Sequence, residues 1–147
     1  MKSKLTSPVL TAASAVLVLA TPVAVWWMTN SVTHQPLKDP DYAVRPLEID
    51  PAIKVGLTVA AVVLALFSLA ILELARRHQR LSEEWWGVLG PLVAVGAICG
   101  GTYSMLTAPV IGANIGAGLA SFVVPPAVIG LLVWAAWKWF TLQYRGR

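Results

Sequence analysis

The sequence predicts an all-α membrane protein, a bundle of four transmembrane helices with both termini on the cytoplasmic side. Three observations lead there. Apolar residues make up 57% of the chain and charged residues only 12%. From Glu84 to Lys138 there is no intervening Asp, Glu, Lys or Arg, a run long enough to cross a ~30 Å hydrocarbon layer twice at about 20 residues per helix. The stretch VGLTVAAVVLALFSLAIL is apolar on every side, whereas a barrel strand would alternate over ~10 residues. Backbone groups in lipid must pair with one another, so helices are expected.

The first span is expected over 8–28, a polar outer loop over 29–51, and the second span over 52–75. An inner loop follows at 76–84, then the third span at 85–106, an apolar glycine-rich outer connection at 107–120, the fourth span at 121–140 and a cytoplasmic tail at 141–147. All of it forms one membrane domain. Lys2 and Lys4 before an apolar run also suit a cleaved leader, with Val18 and Ala20 as its recognition pair. The run continues to Trp26 and Trp27, longer than a leader core, and is read as a retained span. Pro36, Pro40, Pro46 and Pro51 make the outer loop extended rather than folded.

Orientation follows from the distribution of basic residues. Lys2, Lys4, Arg76, Arg77, Arg80, Lys138, Arg145 and Arg147 fall on one side, against Lys38, Arg45 and Lys54 on the other. The tryptophans sit where an aromatic belt requires. Trp26 and Trp27 close the first span, Trp85 and Trp86 open the third, and Trp137 and Trp139 close the fourth. The expected location is the cell (plasma or inner) membrane.

Packing signals are strongest in the third span. Gly87, Gly90, Ala94, Ala97, Gly101, Ser104 and Ala108 recur at steps of three and four, a narrow stripe on one helix face. Small residues let helices approach closely in lipid, where burying apolar surface gains little. The second span repeats the pattern with Thr58, Ala61, Ala65, Ser68 and Ala75, broken by Leu72. The short basic turn between them predicts an antiparallel hairpin of the second and third spans, with the two stripes facing each other. Gly96 and Gly100 lie on another face of the third span, open to a further helix. The connection TAPVIGANIGAGLAS is read as a tight glycine turn at the membrane surface, or a segment dipping into the protein.

Little in the chain speaks for chemistry. His34 and His78 are expected on opposite sides of the membrane, and no paired carboxylates within a span, no HxxxH and no phosphate-binding loop occur. Cys99 is the only cysteine, which leaves no cysteine-based zinc motif and no intrachain disulfide. The expectation is a protein that is not an enzyme, with no cofactor and no metal. His34, Asp39, Asp41, Glu48 and Asp50 lack diagnostic ligand spacing and read as a solvated acidic loop. Coupled transport ordinarily leaves ionisable groups inside the membrane, and the spans carry only Lys54, Glu73 and Lys138, near their ends.

Two function classes remain. One is a scaffold or accessory subunit packing through small-residue faces against its own copies or another membrane protein. The other is a homo-oligomeric passive channel lined by Thr102, Tyr103, Ser104, Thr107 and Asn114, polar groups that suffice for a pore. CGGTYSM (Cys99 to Met105) resembles a segment of the small four-helix fluoride channels, and GANIGAGLASF resembles their asparagine motif. The two stand here in the opposite order and the early arginine of that family is not recognisable, so the resemblance assigns no family and keeps only the channel class open. The expected partners are the lipid bilayer, with anionic headgroups at Arg76, Arg77 and Arg80, and no nucleic acid.

Overall fold

The computed structural model describes residues 7–30, 43–108 and 113–144, without the side chains of Asn30, Ala113 and Asn114. The described residues form four α-helices and a single 3₁₀ turn, with no strand: α1 (Pro8–Asn30), α2 (Pro51–Arg77), the turn Glu83–Trp85, α3 (Trp86–Thr107) and α4 (Ala113–Tyr144). All four helices are long and apolar enough to span a membrane.

Local chemistry sets the boundaries. Asp50 caps α2 by accepting from the Ala52 N–H at 2.8 Å, and Pro51 occupies the first helical position, where no N–H is needed. The same helix ends at Arg77, and two residues on, Gln79 takes a left-handed φ of 54°. There the Arg80 and Leu81 amides fold back onto the Ala75 carbonyl at 2.9 and 3.2 Å, satisfying a carbonyl that the finished helix leaves without a partner. The Arg76 guanidinium donates to Glu73 at 2.7 Å and to Glu83 across the turn at 3.0 Å. The basic turn is therefore a compact hydrogen-bonded unit that aims Leu81 and Trp85 back into the core.

The helices form an open row in the order α2, α1, α3, α4. This differs from the expected bundle, in which the second and third spans pair through their small residues. No extended interface joins α2 to α3, because α1 packs against both. The reason lies in α1 itself. Pro22 stands inside the helix, where it removes one backbone donor, and its ring and carbonyl approach α3 so closely that residues without side chains are needed opposite them. Gly96 and Gly100 are those residues. A Cβ at Gly96 would lie 3.1 Å from Pro22 Cδ and 3.3 Å from Thr21 Cβ, and one at Gly100 would collide with the Pro22 carbonyl oxygen. Of the α2 stripe, Thr58, Ala61, Ser68 and Ala75 are buried and Ala65 is half-buried; Leu72, which interrupts it, is buried too, and the helix packs against α1.

The fourth helix also departs from expectation. It begins at Ala113, so residues 113–120 are neither a tight surface turn nor a dipping loop but the first turns of α4. A helix pairs its own backbone groups in lipid, and that outweighs the penalty of about 1 kcal/mol that each interior glycine carries. Gly112, the first glycine of the expected Gly112–Gly116 pair, lies outside the described residues.

The densest packing lies where α1, α3 and the α2–α3 turn meet. Leu10 and Leu17 of α1, Leu72 and Ala75 of α2, Leu81 and Trp85 of the turn, Val88 and Leu89 of α3 and Leu142 of α4 form one apolar cluster. The row order predicts a crosslinking pattern. With Cys99 replaced by Ala, cysteines at Thr21 and Gly96 should form a disulfide on mild oxidation. Cysteines at Ala65 and Ala94 should not. A disulfide in the second pair without the first would restore the direct α2–α3 pairing.

Candidate functional site: helix faces and polar ends

Membrane-spanning helices place their working groups by which face is turned to a neighbour. On α3 the face turned to α1 carries Gly96, Gly100, Ser104 and Thr107, all buried. The stripe read from spacing runs along its flank. Gly87 meets the aliphatic stem of Lys138 on α4, at 3.6–3.8 Å from a built Cβ, whereas Gly90 faces open space and Gly101 touches only Val25 Cγ1 at 4.0 Å. Ala94 and Ala97 are half-buried, and Ser104 and Ala108 are buried. The stripe thus divides among α4, open surface and α1 rather than meeting a single partner.

The polar cluster also divides. Ser104 and Thr107 are buried, while Thr102 and Tyr103 are half-buried. The Thr107 hydroxyl donates to the Tyr103 carbonyl at 2.8 Å. The Tyr103 ring meets Trp26 of α1 edge-on, with centroids 5.8 Å apart. Asn114 opens α4, and its side chain lies outside the described residues. Four hydroxyls inside the helices bond back to their own chain: Ser14 to Leu10, Thr21 to Leu17, Thr58 to Lys54 and Thr107 to Tyr103, at 2.7–2.8 Å. Such i−4 bonds satisfy the hydroxyl without a partner helix or water.

Each end of the row carries a charged and aromatic assembly that spacing alone did not reveal. At one end the Lys54 ammonium sits 5.0 Å above the Trp26 ring, so Tyr103, Trp26 and Lys54 tie α3, α1 and α2 together. The Val44 amide donates to the free Leu106 carbonyl at 3.0 Å, docking the end of the outer loop on α3. At the other end, Trp85 packs edge-on against Trp139 at 5.3 Å. The Lys138 ammonium lies 5.7 Å from the Trp134 ring and 5.6 Å from Trp137. One assembly joins Lys54 to a tryptophan of the expected belt on a neighbouring helix; the other joins Lys138 to Trp134 and Trp137 within α4. The residue types were visible; the Lys54–Trp26 and Trp85–Trp139 contacts depend on the helix order.

Among the described residues, no group of three or more His, Cys, Asp or Glu gathers as metal ligands. His34, Asp39 and Asp41 of the acidic loop lie outside them. No family model, curated protein or solved structure matches the chain.

Proposed function

We propose that the chain is a non-catalytic integral membrane scaffold or accessory subunit. It would sit in the cell membrane with both termini cytoplasmic, assembling through its helix faces with its own copies or with another membrane protein. The observation that carries this reading is the use of the hydroxyls within the helices. Ser14, Thr21, Thr58 and Thr107 are turned back on their own backbones, and all four are buried. They serve close helix approach rather than lining a path.

The open row supports the same reading. Both outer helices, α2 and α4, have a neighbour on one face only. Arg76 is engaged by Glu73 and Glu83 and Arg77 by Glu73 at 3.2 Å, so attraction of anionic headgroups to the basic turn would fall first to the exposed Arg80.

The test is native mass spectrometry from lipid nanodiscs combined with ion flux into proteoliposomes. The scaffold reading expects assembly with copies, or with a partner recovered by crosslinking in native membranes, and flux no greater than in empty liposomes. A discrete homo-oligomer whose flux is abolished by Tyr103→Phe or Asn114→Ala would replace it with the channel reading.

A further inference from the structure

We propose that a second copy of this chain docks on the face of α4 turned away from α3, in a parallel pair. The Ser121 hydroxyl of each copy donates to the Phe122 carbonyl of the other. Such docking gives the assembly proposed above one partner and one face, and it rests on that reading. α4 packs on α3 through one side only, where Ala135 and Leu142 are buried. On the other side Gly118, Phe122, Pro125, Ile129, Leu132 and Ala136 follow at alternating steps of four and three. That is the period of a left-handed helix pair, the commoner crossing in membranes. Phe122 is 80% exposed and Ile129 60%, and a Cβ at Gly118 would meet nothing within 4 Å.

An apolar seam alone would fit any apolar neighbour, lipid tails included. What calls for a second helix is the backbone. Pro125 and Pro126 both stand inside α4. A helix carbonyl is served by the N–H four residues on, or three in a tighter turn. For Phe122 those positions are Pro126 and Pro125, and neither has an N–H. Phe122 and Pro126 are both exposed, so the carbonyl between them is turned away from α3. It lies nine residues into α4, roughly 14 Å at 1.5 Å per residue, well inside a ~30 Å hydrocarbon layer. Lipid tails carry no donor, and a neighbouring helix is one of the means by which proline-freed groups are paired in membranes.

The same turn of α4 carries a donor. The Ser121 hydroxyl is exposed and donates to the Gly118 carbonyl at 2.7 Å. That carbonyl also has the Phe122 N–H, four residues on, as its helical donor, so the hydroxyl can turn elsewhere without orphaning it. In a parallel pair closed on this seam, the residue just before one seam position lies against the residue five further along the other copy. Ser121 therefore comes beside Pro126 of the second copy, where the Phe122 carbonyl lacks its donor. The two-fold axis repeats the bond in reverse. Donor and acceptor on one turn make the face self-complementary. The exposed face of α2 offers no such pair, because its hydroxyls, Thr58 and Ser68, are buried.

Disulfide trapping of the full Cys99→Ala chain in proteoliposomes tests the proposal. Single cysteines at Ile129 and Leu132 should crosslink into dimers on mild oxidation. Cysteines at Val124 and Leu131, on the α3 side, and at Phe67, exposed on α2, should not. Energy transfer between labelled copies, followed as lipid dilutes the protein, reads the hydrogen bonds. Ser121→Ala should raise the dissociation constant about fivefold to tenfold, the loss of two interhelical bonds of ordinary strength. Pro126→Ala returns an N–H to the Phe122 carbonyl, and in that background Ser121→Ala should change nothing, a coupling that a purely apolar seam lacks. A chain that stays monomeric overturns the proposal, while a different protein recovered by crosslinking in native membranes would leave the scaffold reading standing. Dimers trapped through Phe67 and not Ile129 overturn the α4 face and keep self-assembly. Equal effects of Ser121→Ala with and without Pro126 overturn the hydrogen-bonded pair.

Discussion

Gly100→Ala should loosen α1 from α3 and cost about 2–3 kcal/mol, the upper part of the usual range for overpacking. The added methyl group would meet the Pro22 carbonyl oxygen, with the carbonyl carbon at 2.9 Å and Cα at 3.0 Å. All three are backbone atoms and cannot rotate aside, so the helices must separate or the α1 backbone at Pro22 must shift. Gly96→Ala should cost less, roughly 1 kcal/mol at most, because the atoms it meets at 3.1–3.4 Å are the Pro22 ring and the Thr21 side chain. Gly90→Ala and Gly130→Ala face open space and should be neutral, or stabilising by up to about 1 kcal/mol through helix propensity. Unfolding by sodium dodecyl sulfate in mixed micelles, followed by tryptophan fluorescence, ranks the four variants. A Gly100→Ala chain as stable as Gly90→Ala would sink the Pro22–Gly100 contact.

That ranking bears on what could be read from the chain alone. Helix count and approximate span were legible because apolar length is dictated by bilayer thickness, and each α-helix contains the span expected for it except that Trp85, the first residue of the third, lies in the 3₁₀ turn. The small-residue stripe of α2 was legible for the same kind of reason: steps of three and four define one face whatever the neighbour. The neighbour itself was not legible. A stripe on α2 and another on α3 say that each helix can be approached closely, not by which helix. The deciding feature was Pro22, whose ring and carbonyl lie against a pair of glycines four residues apart, Gly96 and Gly100, rather than against the stripe through Gly87 and Gly101. The start of α4 was missed because Gly112, Gly116 and Gly118 are turn formers in water, while in lipid an unpaired backbone costs more than glycine's conformational freedom. The Lys54–Trp26 and Lys138–Gly87 contacts were hidden for a further reason. Lys54 meets Trp26 on another helix and the Lys138 stem meets Gly87 on α3, contacts no spacing rule could find. The Lys138 pairs with Trp134 and Trp137, by contrast, lie within α4 at spacings of four and one.

Trp85→Ala should be the most damaging substitution at the opposite end of the row, at roughly 3–5 kcal/mol. Trp85 is 6% exposed and lies in the cluster that joins all four helices through Leu10, Leu72, Val88 and Leu142. Its edge-on contact with Trp139 at 5.3 Å also fastens the end of α4, and such aromatic pairs contribute about 0.5–1.5 kcal/mol beyond area alone. Position makes the loss large. Residues buried between spans in mid-bilayer exchange protein neighbours for lipid tails of similar polarity, and lose mainly packing. Trp85 instead lies within the 3₁₀ turn beside Glu83 and Glu84, where opening the core admits water and the hydrophobic effect acts in full. Trp137→Ala gives the contrast, since that ring is 54% exposed and its removal should shift unfolding little. Trp85→Phe should retain most of the stability by keeping a ring against Trp139. If Trp85→Ala and Trp137→Ala unfold at the same detergent fraction, the turn is not the point at which the four helices are held together.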